Sequence, residues 1–209
     1  MINVPCASTP LEPPSLPKAL RHTTVVTLGP DGTDASHAAR LFASVRLAPS
    51  FEQAMVTAYA DGNDALICAG FVQRDGSEQV SDCWVNLHFR WLGRMALRHC
   101  WAQPTKPMGI ATRAGLMLAD ATTVALHPAT EALAAAWLPH AARRYVDAKP
   151  LAAAQAAQGG ADACIGSLDV LATTGLIVHQ VLHPTMVWCL YHPVNQDVPG
   201  TPGVRGAMP

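Results

Sequence analysis

The sequence predicts an α/β fold built as two lobes around a ligand cleft. Three observations predict it. Short apolar runs alternate with helix-patterned stretches from about residue 22 to residue 193. Half of the 209 residues are hydrophobic, enough to bury a sizeable core. The halves also share a plan: each opens on a strand that feeds a helix through a small loop, "LGPDGT" in the first and "LHPATE" in the second.

The elements follow in order. "TTVVTLG" reads as a strand and "TDASHAARLFASV" as a helix with Ala38, Leu41, Phe42 and Val45 on one face. "SFEQAMVTAYADG" is a helix with Ser50 as N-cap and Gly62 as its stop, because a Ser oxygen satisfies first-turn N–H groups and Gly accepts a left-handed C-terminal turn. "ALICAGF" is the next strand. "SDCWVNLHFRWLG" reads as a helix, and "RMALRHCWAQ" and "KPMGIAT" as strands. "ATTVALH" is a strand leading into the helix "PATEALAAAWLPH", where Pro128 sits in a first turn that needs no N–H from it. "KPLAAAQAAQGG" is a helix stopped by glycines, "DACIGSL" a strand, "SLDVLATTGL" a helix and "MVWCLYH" the closing strand. Such alternation predicts largely parallel sheets. The alanine-rich stretches are good helix formers and call for no functional reading. Outside this body, residues 1–21 carry five prolines and read as an extended N-terminal segment, and residues 194–209 as a flexible tail.

Composition bounds the function. Charged residues make up 14% of the chain and the net charge is −1, with no block of Lys and Arg, so an electrostatic nucleic-acid surface is not expected. No apolar run reaches the roughly 18 residues of a membrane span. The first residues lack the basic-then-apolar pattern of a secretory signal, so a cytoplasmic location is expected. The six cysteines (Cys6, Cys68, Cys83, Cys100, Cys164 and Cys189) are scattered without a CxxC pair and read as reduced, mostly buried thiols. No nucleotide fingerprint or metal-ligand cluster is visible, so neither organic cofactor nor metal is expected. The expected ligand is a small anion held at the helix N-termini, whose unpaired N–H groups and dipoles favour negative charge. A dicarboxylate between the lobes would satisfy both loops.

"GPDGTDASHAA", residues 29–39, is similar to the GPxGTFSHxAA signature of prephenate dehydratases. Later segments match in order. "VALHPATEALAAAWL" resembles SHPQALAQC. "KPLAAAQAAQGGADACIGSLDVLATTGL" resembles STAxAA, AAIAS and a closing YGL, and "LHPTMVWCLY" falls where the family has NxTRF. The resemblance covers residues 24–192. It implies the two-lobed type 2 periplasmic-binding-protein fold, with a second lobe at about 107–178 and a return to the first. It also implies a lyase acting on prephenate or a related cyclohexadienyl keto acid, and it makes a homodimer an expectation.

The departures narrow the resemblance. Thr185 keeps the Thr of NxTRF, but Met186 and Val187 replace its Arg and Phe. "ICAGFVQRDG" lacks the family's Glu-Asn-Ser, and Lys149-Pro150 replaces the Ser-Thr of STAxAA. The regulatory ACT domain usual in such dehydratases is not expected within these 209 residues. The GPxGT loop without Phe-Ser-His, the final "TMVWCLY" and the "KPMGIAT" strand resemble instead the non-aromatising prephenate decarboxylases of bacilysin-type antibiotic biosynthesis. The alternatives are a stand-alone dehydratase forming phenylpyruvate, which Thr185 favours, and a non-catalytic binder of aromatic or keto acids.

Both reactions need an anchored pyruvyl carboxylate and a weakly paired ring carboxylate. Dehydration also needs a donor for the departing hydroxyl, and decarboxylation a proton for the ring. The resemblance makes Gly32 and Thr33 carboxylate binders on the first lobe, against the plainer role of a capped helix start. Ala129 and Thr130 are their counterparts on the second lobe, against a Pro-started helix. Lys106 is a candidate cleft cation, and Ser167 a contact or hinge residue. Thr185 is a candidate donor to the ring hydroxyl, and His127 a candidate for proton transfer, against plain packing. His88 and Lys149 are further proton sources. Arg90, Arg94 and Arg98 are four apart, and a break at Gly93 is the expected reading over a helical stripe.

Overall fold

The computed structural model describes residues 16–77 and 79–194. The readings of residues 1–15 and 195–209, Cys6 among them, lie outside the described residues. The first lobe begins with strand β1 (Thr24–Leu28), helix α1 (Asp34–Ala39), β2 (Ser44–Ala48), α2 (Phe51–Asp61) and β3 (Asp64–Cys68). A hairpin of β4 (Val72–Arg74) and β5 (Val80–Cys83), helix α3 (Trp84–Arg90) and the long strand β6 (Met95–Pro104) follow. The second lobe contains β7 (Met108–Thr112), β8 (Thr123–Leu126), a 3-10 turn at Pro128–Thr130, α4 (Glu131–Trp137), β9 (Ala142–Tyr145), α5 (Lys149–Ala157), β10 (Ala163–Ser167), α6 (Leu168–Leu171) and β11 (Ile177–Leu182). Strand β12 (Thr185–Pro193) returns to the first lobe.

Each lobe is one five-stranded sheet, ordered β2-β1-β3-β12-β6 in the first and β11-β7-β10-β8-β9 in the second. Neither is largely parallel, as the alternation predicted. β1 pairs parallel with β2 and β3, but β12 runs antiparallel to both β3 and β6. β10 likewise pairs parallel with β8 and antiparallel with β7, which also pairs antiparallel with β11. The mixture follows from the two crossings: a chain that leaves a sheet and returns from the opposite lobe enters it reversed.

Why the residues form these elements is local in several places. Ser50 accepts the Gln53 N–H at 3.0 Å, and Gly62 closes α2 at φ +68. β7 and β10 are buried along their whole lengths, as expected of central strands covered on both faces. Ala152, Ala153 and Ala156 are fully buried on α5, where small side chains let the helix lie close on β10 and β8.

Other expectations change. α1 ends at Ala39, and Val45 lies in β2 opposite Val25, so the 3.6-residue apolar spacing runs through a helix and into a strand. α3 begins at Trp84, because Val80–Cys83 pairs with β4. Gly93, at φ +77, separates Arg90 on α3 from Arg98 on β6, which rules out the helical stripe. The five cysteines of the described residues are free thiols. Among these residues no helix is long and apolar enough to cross a membrane, and no group of His, Cys, Asp and Glu could hold a metal ion.

Two core clusters in the second lobe and one in the first hold the lobes together. Val25, Met55, Leu66, Trp188 and Leu190 lie in the first-lobe cluster; Ile110, Val124, Leu126 and Ile165 lie in the second lobe. The chain crosses between lobes at 105–107 and at 183–184. The crossings are tied to each other: the Thr105 N–H donates to the Pro184 carbonyl at 3.0 Å and its hydroxyl to the same oxygen at 3.3 Å.

Candidate functional site

A cleft of about 670 Å³ lies between the lobes. The loop after β1, the turn after β8, the N-terminus of α5 and the start of α6 open onto it, so it collects the ends of four elements. Its first-lobe wall is apolar: Leu28, Phe71, Met186 and Trp188 line it, and Trp188 is 2% exposed. Gly70 lets Met186 come close, since a Cβ there would lie 2.7 Å from the Met186 sulfur.

The charged groups form a chain across the cleft. Asp34, the first residue of α1, accepts the Lys149 ammonium at 2.6 Å, joining the two lobes. Its other oxygen accepts the Lys106 backbone N–H at 3.3 Å. The Lys106 ammonium, on the crossing segment, pairs with Asp169 at 2.9 Å. Arg74 on the β4–β5 hairpin reaches over the cleft mouth and lies 4.6 Å above the Tyr145 ring of the second lobe. Asp31, Asp75 and Asp147 complete the charged lining.

Most of the expected anion donors are already engaged. Gly32, at φ +87, gives its N–H to the Asp31 carboxylate at 2.8 Å and to the Ser36 hydroxyl at 2.9 Å. Thr33 caps α1 by accepting the Ser36 N–H at 3.2 Å. Ala129 gives its N–H to His127 Nδ1 at 3.2 Å. Gly32, Thr33 and Ala129 therefore line the cleft as its scaffold. Thr130 does not line it. Thr130 is 5% exposed and its hydroxyl donates to the His127 carbonyl at 2.7 Å, inside the turn.

His127 does line the cleft. Burial, then the Lys149 charge, lower its pKa below the ordinary value, so the ring is neutral near pH 7. Because Nδ1 accepts the Ala129 N–H, the proton resides on Nε2. His127 can donate a hydrogen bond from that nitrogen, but a neutral imidazole is a poor proton source.

Thr185 is a correction. It is exposed, pairs with Pro104 at the end of β12 next to the crossing, and does not line the cleft. Successive strand residues point to opposite faces, so Met186 and Trp188 take the cleft side and leave Thr185 and Val187 exposed. His88 is also excluded: it stacks on Trp84 and contacts the Tyr191 hydroxyl at 3.0 Å, away from the cleft. Lys106, Lys149 and Ser167 are brought together in the cleft. Ser167 is 7% exposed, and its hydroxyl has no hydrogen-bond partner among the described residues. Cys68 lines the cleft as a protonated thiol, its pKa pushed up to about 11 chiefly by burial.

Sequence reading missed Asp34 and Asp169. A signal existed for the first. Asp34 stands where GPxGTFSHxAA has Phe, and Lys149 where STAxAA has Ser; these two departures form the ion pair that spans the cleft.

Solved structures with two such lobes match the chain. A prephenate dehydratase from Arthrobacter aurescens, solved in complex with L-Phe, is 17% identical with a TM-score of 0.52, over 88% of this chain and 62% of that one. The prephenate dehydratase of Staphylococcus aureus is 13% identical with a TM-score of 0.51, over 83% of this chain and 68% of that one. An ABC transporter from Parabacteroides distasonis is 11% identical with a TM-score of 0.53, over 83% of this chain and 66% of that one. The fold is the two-lobed, type 2 periplasmic-binding-protein one. At these identities the likeness is one of fold, and the chain spans less than two thirds of the length of the Arthrobacter protein. No protein-family model and no curated protein sequence matches the chain.

Proposed function

We propose that the cleft is the active site of a lyase that binds a cyclohexadienyl carboxylic acid of the prephenate class and releases its ring carboxylate as carbon dioxide without aromatising the ring. The pairing of Asp34 with Lys149 at 2.6 Å carries this reading. A ring carboxylate seated beside Asp34 meets a like charge, and that repulsion is relieved as neutral carbon dioxide departs. The bond from ring carbon to carboxyl carbon breaks. Its electron pair moves through the ring alkene to a ring carbon, which takes a proton from the Lys149 ammonium. Solvent returns a proton to Lys149, which Asp34 holds in place at 2.6 Å.

The surroundings support this. Phe71, Met186 and Trp188 offer an apolar bed for the ring. Dehydration would need a donor at the ring hydroxyl, and Thr185 is exposed outside the cleft. That removes the support that Thr185 lent to a dehydratase forming phenylpyruvate. The proposal extends to a cytoplasmic, cofactor-independent enzyme of specialised metabolism that acts on a free small molecule, with homodimerisation implied by the same resemblance.

The test is to incubate the purified chain with prephenate and follow absorbance and product mass together. The expected result is loss of carbon dioxide with the hydroxyl retained, over many turnovers per chain. Phenylpyruvate would move the assignment to dehydratase. Prephenate left unchanged would remove the lyase reading and leave a binder of aromatic or keto acids.

A further inference from the structure

We infer that Cys100 and Cys189 are the site of a reversible disulfide, formed by a peroxide, that staples β12 to β6 beside the two inter-lobe crossings. The inference does not depend on what the cleft binds.

Geometry carries the argument. Cys100 on β6 and Cys189 on β12 stand directly opposite each other in the antiparallel ladder. Such partners share one face of the sheet, with Cα atoms about 4.5–5.5 Å apart, inside the roughly 4.4–6.8 Å that disulfides span. The sulfurs already lie 3.6 Å apart, with the Cys100 thiol directed at Cys189. A disulfide bond of about 2.05 Å needs them to close by roughly 1.5 Å. β6 can supply that movement, because it is the edge strand of its sheet. The ladder also shifts register between Leu190 and Tyr191, next to the pair, and such irregularities bend a strand locally.

The two thiols differ in access, and so in role. Cys100 is exposed, so a dissolved oxidant reaches it. Cys189 is 1% exposed. Burial, ahead of the neighbouring Cys100 sulfur, pushes its pKa far above the ordinary thiol value, so it keeps its proton and is shielded from direct attack. The Cys100 sulfur attacks one oxygen of hydrogen peroxide. The O–O bond breaks, Cys100 becomes a sulfenic acid, and water leaves. The Cys189 sulfur then displaces the sulfenic hydroxyl. The S–S bond forms, the S–O bond breaks, and the hydroxide departs as water with the Cys189 proton. Two thiols lose two hydrogens, and one peroxide becomes two waters. A dithiol reductant restores both thiols by exchange and is itself oxidised to a disulfide.

The bond closes a long loop. The two cysteines are 89 positions apart, and the stretch between them contains β7 to β11, the body of the second lobe. Cys100 lies a few residues before the first crossing and Cys189 a few residues after the second. The crossings already hold each other through Thr105 and Pro184. A disulfide adds a covalent tie further along the same ladder, so β12, which brings Met186 and Trp188 to the cleft wall, cannot part from β6. Closing so long a loop restricts the unfolded chain far more than the folded one.

The test treats the reduced full chain with a small molar excess of hydrogen peroxide. The intact mass should fall by two hydrogens, and a non-reducing peptide map should join the Cys100 and Cys189 peptides. The melting temperature should rise by about 5 °C or more, and dithiothreitol should reverse all three changes. Cys100→Ser, at an exposed position, should melt like the reduced chain and gain nothing from peroxide. Cys68→Ala should still form the bond, which separates this pair from the thiol in the cleft. The inference is overturned if peroxide leaves the mass unchanged, adds oxygen to Cys100, or links it to a different cysteine or a second chain. It is also overturned if the pair joins without raising the melting temperature.

Discussion

The loop after β1 and the turn after β8 are built alike and face the same cleft, yet they bring different chemistry to it. In the first, Gly32 turns its N–H toward Asp31 and Ser36, and α1 then presents the Asp34 carboxylate. In the second, His127 takes the Ala129 N–H, Thr130 is turned inward, and no carboxylate comes forward from the turn itself. The first lobe thus supplies an apolar wall and an acid. The second supplies the Lys149 ammonium and the Ser167 hydroxyl. A helix start reads as an anion site only while its N–H groups are open, and the Gly32 and Ala129 N–H groups are already bonded to side chains of the chain itself. Positive charge comes instead from lysines placed by a crossing segment and by α5.

Substitutions can break this division of roles. The largest stability effect is expected for Trp188→Ala, which empties the centre of the first-lobe wall; about 3–5 kcal/mol should be lost in urea denaturation. If less than 1 kcal/mol is lost, the wall is not set by this residue. Lys149→Ala should lower prephenate turnover about 100-fold or more while leaving the fold intact, since it removes the second lobe's proton donor. Steady-state kinetics beside a thermal melt separate the two effects. Asp162→Ala tests the far end of the second lobe. That carboxylate accepts Arg113 at 2.6 Å together with the N–H and hydroxyl of both Thr122 and Thr123. Its pKa is held well below the ordinary carboxylate range, chiefly by the Thr122 hydroxyl and Arg113. Losing these charge-assisted bonds should cost about 2–3 kcal/mol.

His127 gives a smaller, pH-dependent effect. Burial, then Lys149, lower its pKa in the folded chain below the ordinary 6.5. The unfolded chain therefore binds more protons between the two values, so stability falls as pH drops through 6.5 and levels off below the depressed value. His127→Gln should flatten that part of a pH-resolved melting curve. The smallest effect is expected at Thr185→Ala. On an exposed strand position it should change stability by no more than about 0.5 kcal/mol and leave turnover unchanged. A large loss of turnover would return Thr185 to the site.

What the sequence disclosed follows the range of the interactions. The Ser50 cap and the Gly62 stop are set within four residues and were readable. The short apolar runs inside β3 and β10 were readable because buried strands leave hydrophobic stretches. β9 was missed: "ARRY" alternates half-buried and exposed positions, and nothing local separates it from a loop. β2 was hidden because Val45 fell on the helical spacing of α1. The misplacement of Thr185 was avoidable. Once "TMVWCLY" is read as a strand with Trp188 inside, alternation puts Met186 on the same face and Thr185 on the other. The Asp34–Lys149 pair joins residues 115 apart, so no window of sequence contains it. Only the motif departures at both positions pointed there.

The position of β12 bears on the order in which the molecule can be completed. It is the last strand along the described chain, yet it lies inside the first-lobe sheet, between β3 and β6. A ribosome delivers β1, β2, β3 and β6 early, but β6 has no neighbour in that sheet until β12 emerges after the whole second lobe. The second lobe, by contrast, is one continuous stretch from β7 to β11 and can close as it is made. During synthesis, the first sheet therefore waits with an unfilled slot lined by the edges of β3 and β6. Its apolar wall is completed only when Met186 and Trp188 arrive, so the binding surface is among the last parts of the protein to exist.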